Sequence, residues 1–210
     1  MEQIIINKLL YLPGIIIALT FHEFAHAKAA NLLGDPTPKQ QGRVTLNPIA
    51  HIDIIGFIAL MLVGFGWGKP VQINGNYFKH FKRDEIIVSL SGVTMNLLLA
   101  IIFAGVLKIM DITAYDFFAN NVIGSYITTM VSGIVWINIV LMVFNIMPIP
   151  PLDGFTVIAE LAHLREKGIY RQVYDKGPII LLLLIFFHIT DKVIGPLANF
   201  FMDSILHIFF

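Results

Sequence analysis

The pentapeptide His22-Glu23-Phe24-Ala25-His26 holds the residues of this chain best suited to metal chemistry. In an α-helix, positions i and i+4 lie on the same face, so both imidazoles can bind one cation. Glu23 lies beside this pair and can reach a water on the metal without taking a ligand position itself. A catalytic zinc site needs three protein ligands and one open position. The motif therefore predicts two zinc ligands and a neighbouring carboxylate that transfers protons.

A third ligand must come from elsewhere in the chain. Because the sequence contains no cysteine, this ligand must be a His, Asp or Glu residue. Asp153 has the most informative context, since it follows three prolines within the four residues 148–151. Prolines break a helix and leave backbone groups without partners, which a membrane tolerates only against protein or water. The other candidates are the remaining histidines and acids, among them His51, His80, His163, His188, His207 and Glu160.

The composition places these residues in a membrane protein. Of the 210 residues, 57% are hydrophobic and 13% are charged, against roughly 45–50% and about 25% in soluble domains. This balance excludes disorder, fibrous folds and a freely soluble enzyme. Fourteen basic and fourteen acidic residues give zero net charge, so no global field attracts nucleic acid and none is expected as a partner.

Apolar runs of about 20 residues, the length needed to cross a bilayer, predict the elements that carry the site. The first run, 4–33, also lacks a basic start and a cleavage site, so it is expected to be retained rather than removed as a signal peptide. Two further runs, 86–110 and 122–147, are clear spans. The shorter runs after Gly177 bring the expected number of transmembrane helices to about five, within a range of four to six. The fold class is an all-α polytopic membrane protein.

The segment 42–68 is expected to differ from these spans. Its first part, Gly42–Pro48, is rich in β-branched residues and predicts a strand. Its later part is apolar but too short to span, and it is rich in glycine. This pattern predicts a short re-entrant or β-hairpin element that packs against other segments.

The distribution of basic residues predicts the orientation of the spans. Six Lys and Arg residues fall in 34–84 and four in 152–177, whereas 111–121 contains none. By the positive-inside rule, the two basic stretches lie in the cytoplasm. The end of the first span and the end of the 122–147 span then emerge on the same side, which brings Asp153 to the same membrane face as His22 and His26.

Taken together, His22–His26 and the segment Asn145–Gly154, which reads N-x-x-P-x-P-P-L-D-G, closely resemble the site-2 protease family of intramembrane zinc metalloproteases. The resemblance is to the small bacterial form without a PDZ domain. It extends to 42–48 (GRVTLNP), to 51–53 (HID), to 65–71 (FGWGKPV) and to Ser91-Gly92-x-x-x-Asn96, and thus covers about 20–160. The chain departs from the family at Ile54 and Val93, where members often have proline; both positions affect loop shape rather than metal chemistry.

The resemblance implies one Zn²⁺ per chain, with His22, His26 and Asp153 as ligands and Glu23 as the catalytic acid/base. Asn145 is the candidate donor to the oxyanion that forms during peptide hydrolysis. The implied substrates are single-span membrane proteins, cut in or next to the bilayer in regulated intramembrane proteolysis. The implied location is the cell membrane, as a multi-pass protein with the active-site end at the cytoplasmic side.

The expected organisation is a single membrane peptidase domain, 1–210, with a core at 4–164 and accessory hydrophobic segments at 165–210. Two alternatives stay open. A membrane-anchored zincin that cuts soluble peptides would take Glu160 as its third ligand. A metal-binding scaffold or transporter would not need Glu23. The roles of His51, Asp53 and Asn96 are also open. A solvated turn is favoured for His51 and Asp53. The alternative for Asp53 is a hydrogen bond to a histidine ligand. Asn96 needs a hydrogen-bonding partner in mid-span.

Overall fold

The computed structural model describes residues 2–63 and 66–210 and shows an α-helical protein. Short 3₁₀ turns and loops connect the α-helices. The helices, numbered in chain order, are α1 (Glu2–Leu32), α2 (Thr37–Gln40), α3 (Ile54–Val63), α4 (Phe81–Asn120), α5 (Val122–Ile146), α6 (Asp153–Leu161), α7 (Ile169–Phe186) and α8 (Asp191–Phe209).

Three of these helices are long and apolar enough to cross a membrane: 8–32 within α1, all of α4, and α5. They overlap the three predicted core spans, 4–33, 86–110 and 122–147, which differ from them at the ends. Helix α4 has 40 residues, twice the length that a bilayer requires, and its helical backbone is interrupted at Ala114. Its central part, 86–110, is the apolar stretch that the sequence identifies as a span.

The three spans pack directly on one another, and small residues allow the close approach. Ala18, Ala27 and Ala100 are completely buried. A methyl group added to Gly14 in α1 would lie 2.9 Å from the carbonyl oxygen of Gly133 in α5, so the two backbones are nearly in contact. Since lipid is as apolar as leucine, such close packing is a main source of association between membrane helices.

The C-terminal helices α7 and α8 form a pair that bends by 80° at a short break. Helix α8 packs against α4 and α5, where Ala198 and Ile205 join the buried apolar cluster. If the bent pair counts as one span, the described residues contain up to four candidate spans. This architecture agrees with an all-α polytopic protein, whereas the predicted number of five is not confirmed.

The prediction of a strand at Gly42–Pro48 is wrong. Gly42 has a positive φ of 67° and turns the chain, the buried Arg43 donates a hydrogen bond to the carbonyl of Lys69, and Pro48 begins a 3₁₀ turn. The backbone N–H groups of Gly42 and Arg43 donate to the carbonyls of Lys39 and Pro38, so they are not available to a neighbouring strand. Within the described residues, strand-like pairing is limited to one isolated antiparallel bridge between Ile52 and Gly68.

The glycine-rich part of this segment forms the short helix α3, after which the chain returns to Gly68. Gly64 and Phe65 of this element lie outside the described residues. From Lys69 to Asn74 the chain has no regular secondary structure, and we call this segment the strap. The backbone N–H of Lys69 donates to the carbonyl of His51, and the N–H of Asn74 donates to the buried carboxylate of Asp35. The strap is therefore attached at both ends, and it passes beside the C-terminal half of α1.

Candidate metal centre

Three elements bring the predicted ligands together. His22 and His26 lie one turn apart on α1, on the face toward the N-terminal half of α4. After α5 ends at Ile146, the proline-containing turn reverses the chain, and Asp153 is the first residue of α6. A methyl group on Gly154 would lie 2.1 Å from the carbonyl oxygen of Ile146. Only glycine therefore lets α6 begin this close to the end of α5.

The three side chains form a compact, buried group. The Nε2 atoms of His22 and His26 are 3.0 Å apart, and the Oδ2 atom of Asp153 is 3.3 Å from each of them. In a tetrahedral zinc site with bonds of about 2.0–2.1 Å, ligand atoms are separated by about 3.3 Å. The spacing of the three atoms thus fits a single zinc ion. Among the described residues, these three are the His, Asp and Glu side chains that could hold a metal together.

The hydrogen bonds behind the imidazoles point to a cation between them. The Nδ1 atom of His26 lies 2.8 Å from the carbonyl oxygen of Val88, which can only accept, so Nδ1 carries the proton and Nε2 has a lone pair. The Nδ1 atom of His22 lies 2.7 Å from the side-chain oxygen of Asn96. The buried Oδ2 atom of Asp153 has no hydrogen-bond donor. Three acceptor atoms this close together require a positive charge between them, and a metal ion bound by all three would supply it in place of protons.

Electrostatics favour an ionised carboxylate at Asp153. Burial alone would raise the pKa of this carboxyl group, but while no metal is bound the positive charge of the protonated imidazoles of His26 and His22 outweighs burial and holds its pKa well below the ordinary value. An anionic oxygen is the form that binds a metal ion.

Gly92 on α4 provides the space for the two imidazoles. A methyl group at this position would lie 2.5 Å from Nε2 of His26 and 2.6 Å from Cε1 of His22. Asn96 follows one turn later on the same face of α4. The spacing Gly92-x-x-x-Asn96 therefore combines room for the rings with a hydrogen-bond acceptor for one of them.

Glu23 lies on the wall of the same cavity, which has a volume of about 790 Å³ and is also lined by the three grouped residues and by Asn145. Its Oε2 atom accepts a hydrogen bond of 2.9 Å from the backbone N–H of Val71 in the strap. The carboxylate is thus held beside the metal-binding group without belonging to it. The role of Glu23 as acid/base stays a prediction.

Asn145 lies at the end of α5 and also lines this cavity. Its side-chain nitrogen donates a hydrogen bond of 3.0 Å to the carbonyl of Leu141, one turn earlier. A carboxamide has two N–H groups, so this intrahelical bond engages one of them. The role of Asn145 as oxyanion donor stays a prediction.

Three other residues singled out from the sequence have different functions. His51 lies in a turn, as predicted, but it is completely buried rather than solvated, and its Nε2 atom bonds the carbonyl of Thr45. Asp53 accepts a hydrogen bond from the backbone N–H of Gly56 and so caps the start of α3. Glu160 forms an ion pair with Arg165 and lies outside the metal-binding group.

Sequence reasoning missed Asn138 and the carbonyl of Val88. Asn138 is completely buried in the middle of α5, and its side-chain oxygen accepts a hydrogen bond from Asn96. A carboxamide in the middle of an apolar span is itself a detectable signal, since such groups need partners there. The carbonyl of Val88 has no sequence signature, because every residue carries one.

Comparison with known proteins identifies the family of this chain. The family model described as Peptidase family M50 matches residues 10–188. The chain is 35% identical to "Putative zinc metalloprotease YwhC" of Bacillus subtilis (strain 168), over 100% of this chain and 96% of the relative. It is 24% identical to "Putative zinc metalloprotease Rip2" of Mycolicibacterium smegmatis, over 93% of this chain and 73% of the relative. A Rip2 protein of Mycobacterium tuberculosis (strain H37Rv) is 25% identical over 84% of this chain and 65% of its own length.

No solved structure matches the chain, and no PDZ domain is found in it. The family match covers most of the chain and includes both halves of the metal-binding group, and the similarity to YwhC extends over the full length. A His-His-Asp group beside a glutamate is the donor set that a zinc hydrolase needs. The chain therefore belongs to peptidase family M50, the site-2 protease family, and is a zinc metalloprotease of the membrane.

Proposed function

We propose that this protein is an intramembrane endopeptidase in which His22, His26 and Asp153 hold one zinc ion and Glu23 is the acid/base. Its substrates are single-span membrane proteins, which it cuts in or next to their transmembrane segments as a step of regulated intramembrane proteolysis. Members of the family act on membrane protein substrates within the bilayer, and the chain has the apolar helices needed to lie there.

One observation carries the proposal. A spacing of 3.0–3.3 Å among the three ligand atoms occurs on the wall of a cavity that also includes Glu23. His22 and His26 are almost completely buried, whereas the cavity leaves space for a peptide beside them. A metal-binding scaffold would not require a carboxylate held next to the ligands.

The chemistry follows from these positions. Bound zinc lowers the pKa of its water and polarises the scissile carbonyl. Glu23 accepts a proton as the water attacks and returns it to the leaving amine. The free N–H of Asn145 is the proposed donor to the developing oxyanion. A helical substrate hides its amides in internal hydrogen bonds, so the segment that reaches the cavity must first unwind.

The basic residues support a cytoplasmic position of the active-site end in the cell membrane. The loops beside the metal-binding group include 34–84 and 152–177, which carry six and four Lys and Arg residues, whereas 111–121 carries none. Such a bias is typical of cytoplasmic loops. The proposed organisation is one peptidase domain, 1–210, with a core at 4–164 and accessory segments at 165–210. The family match to 10–188, which extends to the end of α7, supports the single domain.

The test is cleavage of tagged single-span membrane proteins co-expressed with the wild type, with Glu23→Gln, or with Glu166→Gln. Glu166 is exposed and belongs neither to the cavity lining nor to the metal-binding group, so its variant is a matched control for loss of a carboxylate. The zinc content of each purified protein is measured as well. We expect equal zinc in all three proteins, cleavage by the wild type and Glu166→Gln, and a loss of about 10²–10⁴-fold in Glu23→Gln.

The outcomes separate the proposal from its alternatives. Equal cleavage by Glu23→Gln would refute the assigned mechanism. Cleavage of soluble peptides, but not of membrane substrates, would indicate the membrane-anchored zincin instead. Zinc binding without cleavage of any substrate by the wild type would indicate a scaffold or transporter.

A further inference from the structure

Two completely buried asparagines connect the three spans behind the metal-binding group. The side-chain nitrogen of Asn96 in α4 lies 3.2 Å from the carbonyl oxygen of Ala18 in α1 and 2.9 Å from the side-chain oxygen of Asn138 in α5. The side-chain nitrogen of Asn138 lies 2.8 Å from the carbonyl oxygen of Ile134. Neither asparagine faces the peptide cavity, so the proposed chemistry uses neither of them directly.

The direction of each hydrogen bond in this chain is determined by its ends. A backbone carbonyl can only accept, so the carbonyl of Ile134 orients the nitrogen of Asn138 toward itself. The oxygen of Asn138 is then directed at Asn96 and requires a donor there. The carbonyl of Ala18 requires a donor from the same nitrogen of Asn96, which has two N–H groups and can serve both.

The remaining atom of Asn96 is its oxygen, 2.7 Å from Nδ1 of His22. Because this oxygen accepts, Nδ1 of His22 must carry the proton, and Nε2 is left with the lone pair that a metal needs. His26 reaches the same state through a single backbone carbonyl. The two histidines thus have the same tautomer, but different groups hold it. The tautomer of His22 depends on two side chains from two helices.

We propose that Asn96 and Asn138 form an amide relay that holds His22 in its metal-binding tautomer and orientation. The inference rests on the proposed role of His22 as a zinc ligand. Both residues are positioning residues, because they act on the metal through His22 alone. Their burial supports this role: an amide in an apolar span is costly unless its groups are paired, and the relay pairs the oxygen and the nitrogen of both side chains.

The relay predicts a graded loss of zinc affinity. Asn96→Leu removes the acceptor for His22, and loss of such a partner weakens metal binding about 10–100-fold. Asn138→Leu leaves Asn96 with its bond to Ala18, so the loss is the smaller one expected for a single hydrogen bond, about two- to tenfold. Asn96→Asp keeps an acceptor oxygen for His22 but loses both amide N–H groups. We expect it to bind zinc at least about ten times more tightly than Asn96→Leu does.

The experiment uses the full chain purified in detergent. Zinc affinity is measured by competition with a chromophoric chelator, and the visible absorption bands of the Co²⁺-substituted protein report the geometry of the ligands. Thr20→Val is the matched control: Thr20 is equally buried in α1, and its hydroxyl has no hydrogen-bond partner. We expect zinc affinity and cobalt bands of the control to match the wild type, and the bands of Asn96→Leu to change.

Failure of the relay is distinguishable from failure of the proposed site. If the wild type binds no zinc, or if the His26→Ala variant binds as much zinc as the wild type, the proposed site is wrong. If the wild type holds such zinc and Asn96→Leu binds it equally well with unchanged cobalt bands, the relay is wrong. The relay is also wrong if Asn96→Leu and Asn96→Asp lose zinc affinity equally and in proportion to the decrease of their thermal midpoints. That pattern would indicate that Asn96 contributes to helix packing alone. If Asn96→Leu does not fold, the zinc affinities and cobalt bands of Asn138→Leu and Asn96→Asp are compared instead. The same criteria then decide whether the relay is correct.

Discussion

The substitution Gly92→Ala tests how closely α4 encloses the two histidines. The added methyl carbon would lie 2.5 Å from Nε2 of His26 and 2.7 Å from Nδ1 of His22. Optimal contacts between such atoms are about 3.5 Å. Both rings, or the helix that carries them, must therefore move by about 0.8–1.0 Å.

This movement is large for a metal site. Ligand distances are reproduced to within about 0.2 Å in well-formed sites, so a displacement several times larger breaks the common spacing of the three ligand atoms. Overpacking of a close-packed region costs about 1–3 kcal/mol. If this cost falls on the zinc-bound state, the affinity decreases by a factor of about 5 to 150. Hydrolysis should decrease by at least the same factor, because it requires the bound metal.

The matched control is Gly105→Ala in the same helix. Its methyl group would lie 3.4 Å from the ring of Phe209, which is an ordinary contact. Both substitutions raise helix propensity equally, so their difference isolates the contact with the imidazoles. Zinc affinity is measured by chelator competition, and hydrolysis by cleavage of a tagged membrane substrate. If Gly92→Ala binds zinc as tightly as Gly105→Ala, the described packing around the histidines is refuted.

Three further predictions follow from the same contacts. Asp153→Ala should abolish zinc binding. Glu160→Gln should keep zinc binding and lower only the thermal midpoint, since Glu160 pairs with Arg165. The reverse result in a zinc assay would identify Glu160 as the third ligand. Asp35→Ala should destabilise the fold by about 1–3 kcal/mol for each backbone N–H left unpaired, at Thr37 and at Asn74. An unchanged midpoint in thermal unfolding would contradict this role. Removal of zinc with a chelator should abolish cleavage and lower the thermal midpoint, because zinc stabilises the folded chain. Added Zn²⁺ should restore both. Cleavage that persists without metal would exclude the mechanism.

The sequence by itself determined the parts of this protein that depend on local spacing and on composition. Residues four apart in a helix share a face, so His22 and His26 were identifiable as a pair. The lengths of the apolar runs identified the three core spans. Prolines before Asp153 marked the break that α6 follows, and the positive-inside bias indicated which span ends share a side. Each of these inferences needs only a few neighbouring residues or a sum along the chain.

Only the tertiary structure decided which distant groups meet. The strand predicted at 42–48 failed because its backbone and side chains bond within the loop and to Lys69, 26 residues beyond Arg43. His51 is buried by contacts that its neighbours in sequence do not indicate. The partners of His22 come from two other helices, through Asn96 and Asn138, since hydrogen bonds form between atoms that packing brings within about 3 Å, whatever their separation along the chain.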